Sequence, residues 1–211
     1  MVDSNDQTAA VLEAIEAITE RIESEKQHLI DLDSAIGDAD HGANLARGFE
    51  AAHEETADMA DADPANVVKT AGTALISEVG GASGPLYGGY LEKVQDRGDA
   101  RVGDKTMVDA IVPAVDTYRK SIEEDDLHPL TALSKAVDAA ERGVEFTVPL
   151  QAKKGRASYL GARSVGHQDP GATSTLFMLE ELLNVASEHL EGDIDRDATS
   201  PTIPDEESED G

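Results

Sequence analysis

No cysteine occurs among the 211 residues, so disulfides are excluded and any metal ligand must be a carboxylate, a histidine, a backbone carbonyl or water. Hard cations are favoured by that donor set. Positive charge is scarce as well: 17 Lys plus Arg stand against 44 Asp plus Glu, a formal net charge of −27. A nucleic acid would be repelled by such a surface and is excluded as a partner. Because the acids are spread along the chain and aromatics make up only 3%, the composition reads as a solvated exterior adapted to high salt, where the Debye length shrinks to about 3 Å at 1 M. The N-terminus lacks a basic stretch followed by an apolar run, and no segment approaches the ~18 apolar residues of a membrane span. A cytoplasmic protein with no membrane contact is expected. No Walker A sequence and no set of protein-kinase motifs occurs, which disfavours the two common nucleotide folds. No internal repeat and no run of alternating β-branched residues appears, so strands are not expected.

Helical periodicity is what remains. Val11, Ile15, Ile18, Ile22 and Leu29 predict one amphipathic helix over 8–30. Asp63-Pro64 supplies a capping residue and a proline at the first helical position, ahead of the stripe Val67, Ala71, Leu75 and Val79. Met107, Ile111, Val115, Tyr118 and Ile122 form another stripe, with a kink expected at Pro113. Leu130, Leu133, Val137, Ala140 and Val144 form the next, and Leu176, Leu179, Leu183, Ala186 and Leu190 the last. Shorter helices are expected over 42–59 and 83–95. An all-α bundle or closed helical barrel over 1–190 follows. From Glu191 the chain holds nine acidic residues, a single Arg and two prolines, which predicts a disordered acidic tail over 191–211.

Three segments carry chemistry. Asp33, Asp38 and Asp40 place three carboxylates within eight residues around Gly37. Unneutralised they would repel one another, and a divalent cation removes that penalty. The EF-hand template fails, because its twelfth position would be Gly42 or Phe49 rather than Glu. Mg²⁺ is then the better choice, since it is usually shared between one or two carboxylates and substrate phosphates; the competing reading is an acidic loop in an Asp-rich protein. The second segment, Gly80-Gly81-Ala82-Ser83-Gly84-Pro85, is a glycine turn leading into a helix, either a phosphate cradle or a plain connector. The third gathers Lys153, Lys154, Arg156 and Arg163, four of the 17 cations, ahead of the capped helix start Asp169-Pro170-Gly171. Carboxylates for metal, helix starts for phosphate oxygens and cations for developing charge together suit phosphoryl transfer, which depends on positioning and charge neutralisation.

At four separated places the sequence resembles the nucleotide-binding L subunit of dihydroxyacetone kinase: LDSAIGDADHGANLARGF (32–49), GGASGPLYG (80–88), GDKTMVDAIVP (103–113) and KGRASYLGARSVGHQDPGATS (154–174). The resemblance implies an antiparallel up-and-down helical barrel with ADP or ATP at one end, held by two Mg²⁺. The family's metal carboxylates fall on Asp33, Asp38 and Asp40. Its nucleotide contacts fall on His41, Gly42, Ala43 and Asn44, on Ala82 and Ser83, on Gly98 and Met107 near the adenine, and on Asp169, Pro170 and Gly171. Arg156 lies beside these contacts and is assigned as the phosphate-side, catalytic cation. The resemblance further implies a partner K subunit that holds dihydroxyacetone covalently, and it leaves a homodimer open. A free-standing L chain is similar to the phosphotransferase-system mode, in which resident ADP is rephosphorylated by a phosphohistidine on an M subunit. The ATP-exchanging mode and a non-catalytic nucleotide-binding regulator are the alternatives. A related fatty-acid kinase domain shares the fold and the Asp pattern, but such proteins carry a long additional region. Only nine residues separate Gly88 from Gly98, where the family carries a further helix, so seven helices rather than eight are expected, with an extended return over 96–102.

Overall fold

The computed structural model describes residues 4–78 and 100–195. Among the described residues the protein is all helical: α1 (Ser4–Ser24), α2 (Lys26–Ile36), α3 (His41–Thr56), α4 (Pro64–Glu78), α5 (Val108–Glu123), α6 (Pro129–Thr147), the 3₁₀ segment η1 (Arg156–Ser164), which is two short turns divided at Gly161, and α7 (Pro170–His189). The helix expected over 83–95 and all but the last residues of the extended return over 96–102 lie outside them, and with them the choice between seven and eight helices.

Three helix starts follow one recipe. Proline sits at the first position of α4, α6 and α7, where no N–H is required, and the residue before it caps. Asp63 Oδ1 accepts from Ala65 N–H (2.9 Å), His128 Nδ1 from Leu130 N–H (3.2 Å) and Asp169 Oδ2 from Ala172 N–H (2.8 Å).

One local expectation is corrected. The single helix over 8–30 is two, α1 and α2, joined at Glu25. Ser24 Oγ donates to the Arg21 carbonyl (2.8 Å), which also accepts from Glu25 N–H (3.0 Å), and this shared acceptor bends the helix. Leu29 N–H still bonds Glu25 O (2.9 Å), so the stripe survives the break with Ile22 and Leu29 both wholly buried. α5 itself runs through Pro113, the place where a kink is expected. Proline has no N–H to offer the carbonyl of Asp109 one turn earlier. Gly143 of α6 lies against that carbonyl, where a Cβ would collide with the oxygen. Glycine here lets α5 and α6 approach backbone to backbone, and theirs is the most extensive helix pairing in the described protein.

The core has two parts. Ile15, Ile18, Ile22, Leu29, Leu45, Phe49, Val67, Leu75 and Phe177 fill the space among α1 to α4 and α7. Ala110, Ala114, Ala136, Ala140 and Ala172, with Val144 and Leu176, form a small-residue seam among α5, α6 and α7. The helices run up and down, so the starts of α3, α5 and α7 share one end with the finishes of α2, α4 and α6: Arg47 of α3 donates to Glu78 O of α4 (2.8 Å), and His41 of α3 meets Ser174 of α7 (3.0 Å). At the opposite end Thr8 Oγ1 donates to Ala62 O (2.8 Å).

The start of the acidic segment is held. Asp195 N–H donates to Thr131 Oγ1 (3.0 Å), and Gly192 lies against the His128 ring, so 191–195 lie against the first turn of α6. Residues 196–211 of the expected tail lie outside the described residues. No described helix is long and apolar enough to cross a membrane.

Most of the 44 acids have no cation to pair with, since only 17 Lys and Arg exist. Self-repulsion of that size works against the compact state until counterions screen it. Thermal unfolding followed by circular dichroism is expected to show a melting temperature that climbs with KCl from millimolar to molar; a flat profile would contradict this.

Candidate functional site

The acidic loop between α2 and α3 is built around Asp33. Its carboxylate is buried, and Oδ2 accepts the N–H groups of Asp40 (2.8 Å) and His41 (3.2 Å), which would otherwise be unpaired at the start of α3. The loop wraps this carboxylate so closely that a Cβ on Gly37 would collide with Asp33 Oδ1. Ala39 sits at φ 61°, a left-handed conformation that costs a non-glycine residue roughly 1 kcal/mol. The outcome is that Asp33, Asp38 and Asp40 each present a carboxylate oxygen within 4.8 Å of the others.

A cation already stands there. Arg156, the first residue of η1, bonds Asp40 Oδ2 at 2.9 Å and pairs with Asp38 as well. Partial burial pushes the Asp40 carboxyl up, but the Arg156 guanidinium, with help from Asn44 and Asp38, outweighs it and holds the group below its ordinary value. The guanidinium is raised in turn by Asp38 and Asp40. Both side chains of the Asp40 pair are about half exposed, which limits what the pair contributes to stability. The donor set fits a hard divalent cation: three convergent carboxylates, no softer ligand beside them, and a site that attracts positive charge.

α7 opens against the same place. His41 Nε2 lies 3.0 Å from Ser174 Oγ, which also donates to Gly171 O (3.1 Å), so the first turns of α3 and α7 are joined. Burial pulls the His41 imidazole below its ordinary pKa against the pull of Asp33 and Asp40, favouring the neutral ring. Asp169 is buried. Burial pushes its carboxyl up to about 7, with Asp109 adding to the rise, while the backbone N–H groups of Ala172 and Gly171 and the Lys105 charge oppose it. Met107 packs against Gly171: a Cβ there would lie 3.3 Å from Met107 Cβ and 3.1 Å from Asp169 Oδ2.

Of the residues singled out in the sequence, Asp33, Asp38, Asp40, His41, Ala43 and Asn44 share the acidic loop and the start of α3, and Arg156 reaches that loop from η1. Met107, Asp169, Pro170 and Gly171 form the neighbouring seam at the start of α7. Gly42 is buried against α2, where a Cβ would collide with Lys26 O, so its lack of a side chain serves helix packing first. Ala82, Ser83 and Gly98 lie outside the described residues. Sequence reasoning missed Lys105, Asp109 and Thr147. Asp109, buried in the first turn of α5, accepts from Gly103 N–H (2.5 Å) and Thr106 N–H (2.8 Å) and thereby shapes the loop that carries Lys105. Lys105 stood inside the GDKTM segment, and the signal was there: lysine in a loop held rigid by glycine and aspartate.

A family model described as the DAK2 domain matches residues 35–96 and 89–184. The chain is 42% identical over 191 residues to the ADP-binding subunit DhaL of the PEP-dependent dihydroxyacetone kinase of Escherichia coli strain K12, covering 78% of this chain and 90% of that one. It is 37% identical over 197 residues to the ADP-binding subunit DhaL of the PTS-dependent dihydroxyacetone kinase of Lactococcus lactis, covering 83% and 96%. Among solved structures it is similar to the dihydroxyacetone kinase of C. freundii in its native form, with a TM-score of 0.60 and 26% identity, covering 83% of this chain but only 34% of that chain. The same enzyme in complex with AMP-PNP and Mg²⁺ gives a TM-score of 0.59 at 25% identity. With the family model spanning most of the described helices and these identities held over nearly full-length relatives, the chain belongs to the DAK2 domain family of kinases, as a DhaL-type dihydroxyacetone kinase subunit.

Proposed function

We propose that this chain is the nucleotide-binding subunit of a dihydroxyacetone kinase, passing a phosphoryl group from a Mg²⁺-bound adenine nucleotide to dihydroxyacetone held on a separate K subunit. The observation that carries this reading is the convergence of Asp33, Asp38 and Asp40 on one another, with Arg156 on the last two, where the first turns of α3 and α7 meet. Phosphate and carboxylate share a pocket only with a cation between them. Asp33, Asp38 and Asp40 would hold Mg²⁺, two ions in all, and the metal would supply that neutralisation.

The protein's own groups do the rest. The N–H groups of Gly42 and Ala43 at the start of α3 offer donors and a positive dipole end to phosphate oxygens, with Asn44 beside them and Gly171, which has no side chain to obstruct the ligand, at the start of α7. Arg156 exchanges the carboxylates for the transferring phosphoryl group, whose developing charge it offsets. Met107 presents an apolar face to the adenine. In this reading ADP stays bound and is rephosphorylated by a phosphohistidine on an M subunit, a mode favoured by similarity to subunits named as PEP-dependent and PTS-dependent. The cytoplasm is the compartment that such a donor requires.

Calorimetry is expected to show ADP binding in Mg²⁺ that disappears in EDTA and weakens at least about tenfold in Asp38→Asn, one lost charge in a charge-neutralising site. Unchanged ADP affinity in EDTA would sink the reading. Turnover is expected only when K and a phosphohistidine donor are added. Phosphorylation of dihydroxyacetone by this chain with ATP alone would refute the division of labour.

Asp169 gives a pH test. Its folded pKa, about 7, lies above the unfolded value, so the folded state binds the extra proton. The resulting stabilisation is complete below about pH 4 and is lost as pH rises through 7, by an amount on the order of a few kcal/mol. Asparagine caps as well as aspartate does. Urea unfolding of Asp169→Asn is therefore expected to gain on the wild type between pH 5 and 7.5, and a difference that does not change with pH would disprove the shift.

A further inference from the structure

Lys105 is the largest side chain wholly buried in the described protein, 1% exposed, on a backbone at φ 61°. Left-handed backbone and a buried ammonium are each unfavourable, so their combination requires compensation. Three carbonyls supply it: Nζ donates to Thr147 O (2.9 Å), Leu150 O (3.2 Å) and His167 O (2.5 Å). A neutral amine has only two N–H bonds to give, so three donated bonds require the protonated form.

The three carbonyls mark one place in the chain. Thr147 ends α6, and Leu150 and His167 flank the excursion that carries η1 and Arg156. The excursion's two strands of backbone also meet directly, Gly166 N–H on Val148 O (2.8 Å) and Ala152 N–H on Ser164 Oγ (2.9 Å). Just beyond His167, Asp169 N–H donates to Thr147 Oγ1 (3.0 Å). The charges facing the ammonium come from α5 and α7: Asp109, which shapes the 103–106 loop, and Asp169.

We infer that Lys105 is a positioning residue, whose ammonium closes the base of the loop carrying Arg156 and fixes the Asp169-Pro170-Gly171 turn against Met107. It does so from a position closed to solvent, acting on ligand through those residues. The inference rests on the nucleotide reading of this end for its functional consequence, while the clamp itself stands on the hydrogen bonds.

The absence of cysteine makes a clean test available. Lys105→Cys is alkylated in denaturant at its one thiol and refolded, either as the S-aminoethyl derivative, which restores an ammonium at lysine's length, or as the neutral S-propyl derivative. By hydrogen exchange the S-propyl protein is expected to open residues 148–169 at least about tenfold faster than the S-aminoethyl protein, with α1 to α4 equally protected in both. By calorimetry with ADP and Mg²⁺ it is expected to bind at least about tenfold more weakly, with the S-aminoethyl form near wild type. Equal exchange and equal affinity in the two derivatives would overturn the inference. So would loss of protection spread through α1 to α4, which would make the ammonium a general anchor of the fold. Failure of the unaltered protein to bind ADP with Mg²⁺ would count against the nucleotide reading alone, and the exchange comparison would still decide the clamp.

Discussion

Like-charge repulsion is the constraint on which the rest of this structure depends. A chain with net charge −27 gathers three carboxylates within 4.8 Å of one another and surrounds them with helix starts instead of hiding them. The buried member, Asp33, is tolerated because its oxygen takes N–H groups that α3 leaves unpaired. The two exposed members are tolerated because one of few cations is committed to them. Everything else at this end follows from the need to bring that cation in: a pair of short 3₁₀ turns divided at Gly161, the first beginning with Arg156, the excursion on which they ride, and the closure at its base.

The scarce positive charges are accordingly not distributed as the negative ones are. Lys105 serves backbone carbonyls and Arg156 serves carboxylates, so the two cations act in sequence from interior to surface. Arg21 makes the other concentrated use, lying over the Phe177 ring at 4.6 Å while facing Glu25, Glu180 and Glu181 where α1 meets α7. That contact joins the larger core to the helix whose start forms the site. The acidic exterior can then be left to solvent and counterions.

What was legible in the sequence was whatever chemistry is local. Asp63-Pro64 and Asp169-Pro170 gave two helix starts, because capping is settled within three residues. The acidic loop was legible because spacing alone brings its carboxylates together. The break at Glu25 was not, since it turns on a Ser24 hydroxyl competing for one carbonyl, and hydrophobic periodicity carries no trace of that. The surroundings of Pro113 were hidden for a related reason: what faces the freed carbonyl is Gly143, thirty residues on. Lys105 was the hardest to read, because its partners stand 42, 45 and 62 residues away and are backbone atoms, which no residue type announces.

The alanine seam among α5, α6 and α7 has a mechanical consequence. Large side chains can turn about their χ bonds and take up a shift between neighbouring helices, but alanine has no such freedom. A displacement of one of these helices is passed undamped to the next, and the backbone contact of Gly143 with Asp109 stiffens the joint further. The three helices are therefore stiffly joined to one another, and the excursion between α6 and α7 hangs from them like a door from its frame.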